Sequence, residues 1–275
     1  MSSNERCIRS TDRTRTALSN QMKILGVEVE RDRHGTREKP GTLRHLLERD
    51  AALRNVFAGE PTLQERLEEL QKFQSERLLR SHADLRSSSR YGLAIEFFFN
   101  ELYGGGDPSA RDRDLLRVQH VMERLLPKDA LHALCLAIEL EVLSQELDAD
   151  VVRALPAGPI TLESYSQAYR SAGRRKDRER QIQLLDEIGG YLDKVVRKPI
   201  IRGLVRMARG PAHAAGFGEL QEFLEHGLQA FQAMGGADEF LATIRERELR
   251  AMERTLEGVP DPFEFGNDRR AKQST

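Results

Sequence analysis

The chain has 275 residues, a formal net charge of −1, 32% charged residues, 6% aromatic residues and no Trp. Because acidic and basic residues balance, the global charge predicts no nucleic-acid partner. Few aromatics among many charges are typical of amphipathic helices rather than of a β-sandwich. No run approaches the ~18 consecutive apolar residues of a transmembrane helix, although peripheral membrane contact stays open.

The first residues of the chain differ in composition from the rest. Residues 1–41 are rich in Ser, Thr, Arg and Asp and show little periodicity, which predicts a disordered leader in which Met22 is an alternative start of translation. The leader lacks the apolar core of a signal peptide. Two cysteines, Cys7 and Cys135, are too few for a disulfide framework, so we expect the cytoplasm as the location.

Apolar residues at helical spacing predict an all-helical domain over residues 42–258. Thr42 is expected to cap a first helix, and Pro61 opens a second that runs to about His82. Further helices are predicted after Asp107, from Asp129, from a cap at Thr161, after Gly173, from Pro199 to Gly210 and Pro211, from Phe217 to Gly235, and up to a cap at Gly258. No run alternates as a strand does. The sequence therefore predicts a single-domain, all-α helical bundle of about eight or nine helices, followed by a flexible tail over residues 259–275.

The stretch from Tyr91 to Arg113 has the widest apolar arc, which predicts a helix at the centre of the bundle. Glu96 and Asn100 mark its polar strip. Glu101 projects into the apolar arc, where an ionised carboxylate is costly unless a partner, most simply an Arg, neutralises it. Three glycines then end the helix, and they suit a C-terminal cap better than a phosphate site.

This stretch resembles the bacterial FFLEELY motif proteins, a helical family of unknown function. The motif here is Phe97, Phe98, Phe99, Asn100, Glu101, Leu102 and Tyr103, followed by a Gly-rich turn, Arg111 and Asp112. Phe99 replaces Leu and Asn100 replaces the first Glu of the family pattern. The resemblance implies a helical domain over roughly residues 43–258 and implies no activity.

A polar cluster is predicted on the most apolar helix. His132, Cys135 and Glu139 are spaced i, i+3 and i+7 and share a face. With Glu101 they have the side chains that a metal site or a proton relay needs. The alternative, which we favour, is that Cys135 packs in the core and Glu139 pairs with an Arg. We predict no cofactor.

Single histidines and the acidic helix after Gly218 are weaker candidates. Glu219, Glu222, Glu225 and His226 do not have the Glu-x-x-His spacing of helical di-iron proteins, and we interpret them as a solvated face. A haem ligand among the other histidines has no supporting motif. The haem candidates are His82, His120, His213 and His226.

Basic residues recur along two helices. Lys198, Arg202, Arg206 and Arg209 share one side of a helix and could bind an anion or anionic lipid. The run Arg174–Arg180 is also basic. For both we favour the alternative of a solvated face, because surface helices normally dock through their apolar side.

Motifs of the common enzyme classes are missing from the sequence. We therefore predict a non-catalytic cytoplasmic binding or scaffolding domain, with another protein as a conceivable partner and no predicted oligomeric state. The alternative is a metal- or haem-dependent helical enzyme. The predicted polar core for either function comprises Glu101, Tyr103, Arg111, Asp112, His132 and Glu139.

Overall fold

The computed structural model describes residues 43–98 and 127–264. Within these ranges the chain forms ten α-helices and no β-strand, so the all-α prediction is confirmed. The helix predicted after Asp107 lies outside the described residues. The helices are α1 Leu43–Ala58, α2 Pro61–Ser81, α3 Ala83–Arg86, α4 Gly92–Phe97, α5 Lys128–Ala154, α6 Leu162–Ala172, α7 Arg175–Val196, α8 Pro199–Ala214, α9 Gly218–Met234 and α10 Asp238–Glu257.

Several helix ends follow the local sequence. Thr161 caps α6: its hydroxyl accepts a hydrogen bond from the Ser164 backbone N–H at 3.2 Å, and its own N–H donates to the Ser164 hydroxyl at 2.9 Å. Gly235 and Gly258 end α9 and α10 in the left-handed conformation, with φ of 65° and 79°. These caps at Thr161, Gly235 and Gly258 confirm the predicted ends of their helices.

The predicted end of α8 at Gly210 and Pro211 is wrong, because the helix continues to Ala214. Proline lacks a backbone N–H and normally breaks a helix. Here Pro211 lies in the last turn, and its carbonyl still accepts a hydrogen bond from Ala215 at 3.0 Å. A proline so close to the end of a helix removes one bond without preventing the final turn.

Helix α5 is the longest helix of the described residues, with 27 residues, and it packs against α1, α2, α6 and α7. Two of the buried clusters contribute residues to the site described below. The first gathers Leu70, Val151 and Tyr165 from α2, α5 and α6. The second gathers Ile95 and Phe231, with Phe240, from α4, α9 and α10. The space between these two clusters contains the site described below.

Helix α4 carries the start of the apolar stretch. Ile95 and Phe97 are buried while Glu96 is exposed, so the polar strip is confirmed at that position. The Phe97 and Phe223 rings are 5.4 Å apart. A Cβ on Gly227 would lie 2.9 Å from the Phe97 ring, so this packing of α4 on α9 requires glycine there.

Packed structure continues past residue 258, where the flexible tail was expected to begin. The Phe263 ring lies 6.1 Å from the Tyr165 ring, and the Arg77 guanidinium stands 4.7 Å over the Phe263 ring. An aromatic side chain among polar and charged neighbours therefore folds back onto the bundle.

Candidate functional site

A cavity of about 130 Å³ lies between the two buried clusters. An apolar cavity of about 150 Å³ holds one benzene molecule, so this space suits a small organic molecule. Its lining comes from α2, α4, α5, α6, α7 and α10, with Phe263 beyond α10. The polar and charged lining residues are Gln74, Arg77, His82, Ser144, Asp148, Arg178, Gln181, Glu248 and Thr255, together with Tyr165 and Tyr169.

Glu248 on α10 binds two other polar side chains of the cavity wall. Arg77 Nη1 donates to both carboxylate oxygens, at 2.8 Å to Oε1 and 2.7 Å to Oε2, and His82 Nε2 lies 3.0 Å from Oε1. Burial alone would raise the pKa of Glu248, but the charge of Arg77 and the hydrogen bond from His82 outweigh it and lower the pKa to about 2. Glu248 is therefore ionised at neutral pH, and His82 carries a proton on Nε2 in order to donate to it.

The other ring nitrogen of His82 accepts or donates no hydrogen bond within the described residues. His82 is 1% exposed, and its Nδ1 has no hydrogen-bond partner among the described residues. The Nε atom of Arg77 is likewise buried without a partner among them. A buried polar atom without a partner costs about 1–3 kcal/mol. The cavity wall thus has hydrogen-bonding capacity that a bound molecule or water could satisfy.

Arg178 is the second buried cation of the cavity, and it is only 5% exposed. Its Nη2 donates to the Leu147 carbonyl at 3.2 Å, its Nη1 donates to Gln181 Oε1 at 3.3 Å, and its guanidinium stands 4.5 Å over the Tyr169 ring. All three partners are neutral. Within the described ranges no carboxylate oxygen lies within 4.0 Å of Arg178, in contrast to Arg77.

Asp148 is the remaining buried acid of the wall, 7% exposed. Gln74 Nε2 donates to its Oδ1 at 2.9 Å. Burial raises the pKa of Asp148 above its ordinary value, against the opposing influence of Arg178 and Gln74. The neutral acid is therefore favoured more than in an exposed Asp, and in that form Asp148 can also donate a hydrogen bond.

Four residues of the predicted polar core lie outside the described residues. These are Glu101, Tyr103, Arg111 and Asp112. The expectation that Glu101 is buried beside an Arg therefore stays a prediction, as does the FFLEELY resemblance beyond Phe98.

The three residues of the predicted cluster on α5 have different neighbours. His132 is exposed and its ring lies 4.8 Å from the Tyr191 ring. Cys135 is half-buried against the cluster that contains Leu43. Glu139 accepts hydrogen bonds from Arg180 at 3.0 and 3.1 Å. In the described part of the chain, no three His, Cys, Asp or Glu side chains are placed to hold a metal ion.

The basic residues of α8 lie at the surface and part of their charge is neutralised. Lys198 pairs with Asp129 at 2.6 Å, and Arg209 pairs with Glu225. Arg202 and Arg206 are exposed. The hydrogen bonds from Arg209 and then Gln221 lower the pKa of Glu225 to about 2, so this acid of the α9 group is held in an ion pair.

Sequence reasoning missed the charged residues of the cavity. The interpretation of the whole Arg174–Arg180 run as a solvated face is wrong at Arg178, which points into the bundle. The signal was available: Arg178 lies four residues before Ile182 and so continues the apolar stripe of α7. Arg77 gave the same kind of signal, because it lies four residues after Phe73 and continues the apolar stripe of α2. Its partner Glu248, on a helix distant in sequence, could not be read from the sequence.

The fold and the site define an all-α bundle with a cavity lined by buried charges. The chain belongs to the family described as a domain of unknown function, DUF8198, which matches residues 54–262. Comparison with curated proteins and with solved structures gave no match. None of the ten described helices combines the length and the apolar character needed to cross a bilayer.

Proposed function

We propose that this protein is a non-catalytic cytoplasmic binding domain and that its ligand is a small organic molecule held in the cavity. The observation that carries the proposal is the buried Arg178, which lines the cavity and has only neutral hydrogen-bond partners within the described ranges. A buried cation with no carboxylate within 4.0 Å in the described part of the chain is costly, so its retention in a cavity wall favours a ligand that compensates it.

The surroundings of Glu248 favour binding over catalysis. A general acid or base works best with a pKa near the working pH. The pKa of Glu248 is about 2, and its carboxylate already accepts bonds from Arg77 and His82. A carboxylate fixed in this way holds the wall in shape and is poorly suited to moving a proton.

The proposal is tested by filling the cavity. Ala251 is buried and lines it, whereas Ala242 is exposed on the same helix and does not. The substitution Ala251→Leu adds the same side chain as Ala242→Leu. Thermal unfolding of the wild type and both variants is measured with a set of fragments of about six to ten non-hydrogen atoms.

We expect at least one fragment to raise the melting temperature of the wild type and of Ala242→Leu, because a ligand that binds the folded state stabilises it. The same fragment should leave Ala251→Leu unchanged. The proposal fails if no fragment raises the melting temperature, or if a fragment stabilises all three proteins equally.

A further inference from the structure

Two buried arginines line the cavity, and they differ in the charge of their hydrogen-bond partners. Arg77 has a carboxylate partner in Glu248, with two hydrogen bonds. Arg178 donates one hydrogen bond to Leu147 and one to Gln181, both neutral acceptors. A guanidinium has five N–H donors in a planar fork, so three donors of Arg178 have no acceptor assigned by these bonds.

The group that would complete Arg178 is an anion. Carboxylates match the fork of a guanidinium with two parallel hydrogen bonds, and such charge-assisted bonds are stronger than neutral ones. Asp148, the acid of the same wall, lies beyond 4.0 Å from the Arg178 nitrogens and accepts its hydrogen bond from Gln74 instead. A cationic ligand would be repelled by Arg178 and would find Glu248 already paired.

The rest of the wall indicates what the anion is attached to. The lining that belongs to the cluster around α4 and α10 is hydrocarbon, with Ile95, Leu241 and Ile244. A space of about 130 Å³ accommodates roughly one ring or a short alkyl chain. The lining therefore offers a guanidinium in Arg178 as well as a hydrocarbon surface.

We infer that the ligand is a small monocarboxylate, with its carboxylate on Arg178 and its hydrocarbon part against Ile95, Leu241 and Ile244. This inference rests on the proposed function, since it names the chemical class of the ligand of the same cavity. Phosphates and dicarboxylates are disfavoured because Glu248 already neutralises Arg77, so a second buried negative charge would meet no further uncompensated arginine among the described lining residues.

The test compares three probes of the same length: pentanoate, pentanamide and pentylamine, titrated calorimetrically into the full-length protein. We expect pentanoate to bind about tenfold more tightly than pentanamide or better, because a charge-assisted hydrogen bond replaces a neutral one. Pentylamine should bind most weakly. In Arg178→Gln the preference for the acid over the amide should disappear.

A matched control is Arg202→Gln, the same substitution at an exposed arginine of α8, which should keep the preference. The ranking of the three probes in the wild type needs no variant, so it decides the matter even if Arg178→Gln does not fold. If the amide or the amine binds as tightly as the acid, the inference is wrong while the proposed function stands. If fragments bind in the cavity but none of these probes does, the inference alone is wrong. If no fragment binds there, both are wrong.

Discussion

Arg77 and Glu248 lie 171 residues apart in the sequence and form a two-point ion pair, with Arg77 Nη1 at 2.8 and 2.7 Å from the two carboxylate oxygens. Both side chains are 11% exposed. The pair joins α2 to α10 across the cavity, and the bond from His82 adds the junction between α2 and α3. This arrangement holds together three segments that are distant in sequence and that line the cavity.

Glu248→Gln should destabilise the fold strongly. The amide removes the negative charge and leaves Arg77 buried without a counter-ion, which costs about 3 kcal/mol or more in the free energy of unfolding. Urea denaturation at neutral pH measures this loss. Glu48→Gln is the matched control, because Glu48 pairs with Arg44 at the surface and should change stability by less than about 0.5 kcal/mol. Equal effects at Glu48 and Glu248 would contradict the burial of the pair.

Asp148 and Asp84 should change the pH dependence of folding stability in opposite directions. The folded-state pKa of Asp148 lies above the ordinary 3.8, so the folded state binds more protons and loses stability as pH rises through that range. Arg247 lowers the pKa of Asp84 to about 2, so the folded state gains stability as pH rises from about 2 to 3.8.

Two matched variants, Asp148→Asn and Asp84→Asn, test these opposite pH effects on stability one residue at a time. Relative to the wild type, Asp148→Asn should become more stable as pH rises above about 3.8, and Asp84→Asn less stable as pH rises from about 2 to 3.8. Urea unfolding at several pH values provides both curves. Parallel curves for the two variants would show that Asp148 does not titrate as a buried acid.

Replacing either of two neighbouring glycines of α7 by Ala should have opposite effects on stability. A Cβ on Gly189 would lie 2.2 Å from Leu241 Cδ2, whereas a Cβ on Gly190 would meet nothing within 4 Å. Gly189→Ala should therefore lose about 1 kcal/mol or more of stability through overpacking. Gly190→Ala should gain about 0.5–1 kcal/mol, because Ala favours the helix. Thermal unfolding of both variants checks the contrast, and a stabilised Gly189→Ala would refute the close contact between α7 and α10.

Replacement of Arg174 by Gly should destabilise the fold less than its replacement by Ala. Its φ of 60° is unfavourable for a residue with a Cβ, and its guanidinium pairs with Glu146, Asp150 and Asp177. Both variants lose these pairs, but Gly accepts the backbone conformation, so Arg174→Gly should be about 1 kcal/mol more stable than Arg174→Ala. The comparison is made by urea denaturation, and the reverse order would mean that the turn adopts another conformation.

Local signals predicted the fold well. Apolar spacing, the cap at Thr161 and the glycine after α10 depend on residues within one or two turns, so the sequence contains them directly. Pro211 was misread because the cost of a proline depends on how many turns of helix follow it.

The candidate site was predicted from the sequence less well than the fold. The pair of Glu139 with an Arg was expected in general terms, and the structure supplies Arg180 as the partner. Arg77 and Glu248 each continue the apolar stripe of their helix, but the sequence does not show that they pair, because the two helices are distant in sequence. Arg178 lies within a run of charges whose other members are exposed or half-buried, so its full burial was not predicted.

The most direct test of the account follows a reporter inside the cavity. Met252 lines the cavity, whereas Met207 is 38% exposed on α8. In protein labelled with carbon-13 at the methionine methyl groups, pentanoate should shift the Met252 signal in a saturable manner and leave Met207 unchanged. A Met252 signal that stays still, or that moves only in step with Met207, would contradict a ligand site in this cavity.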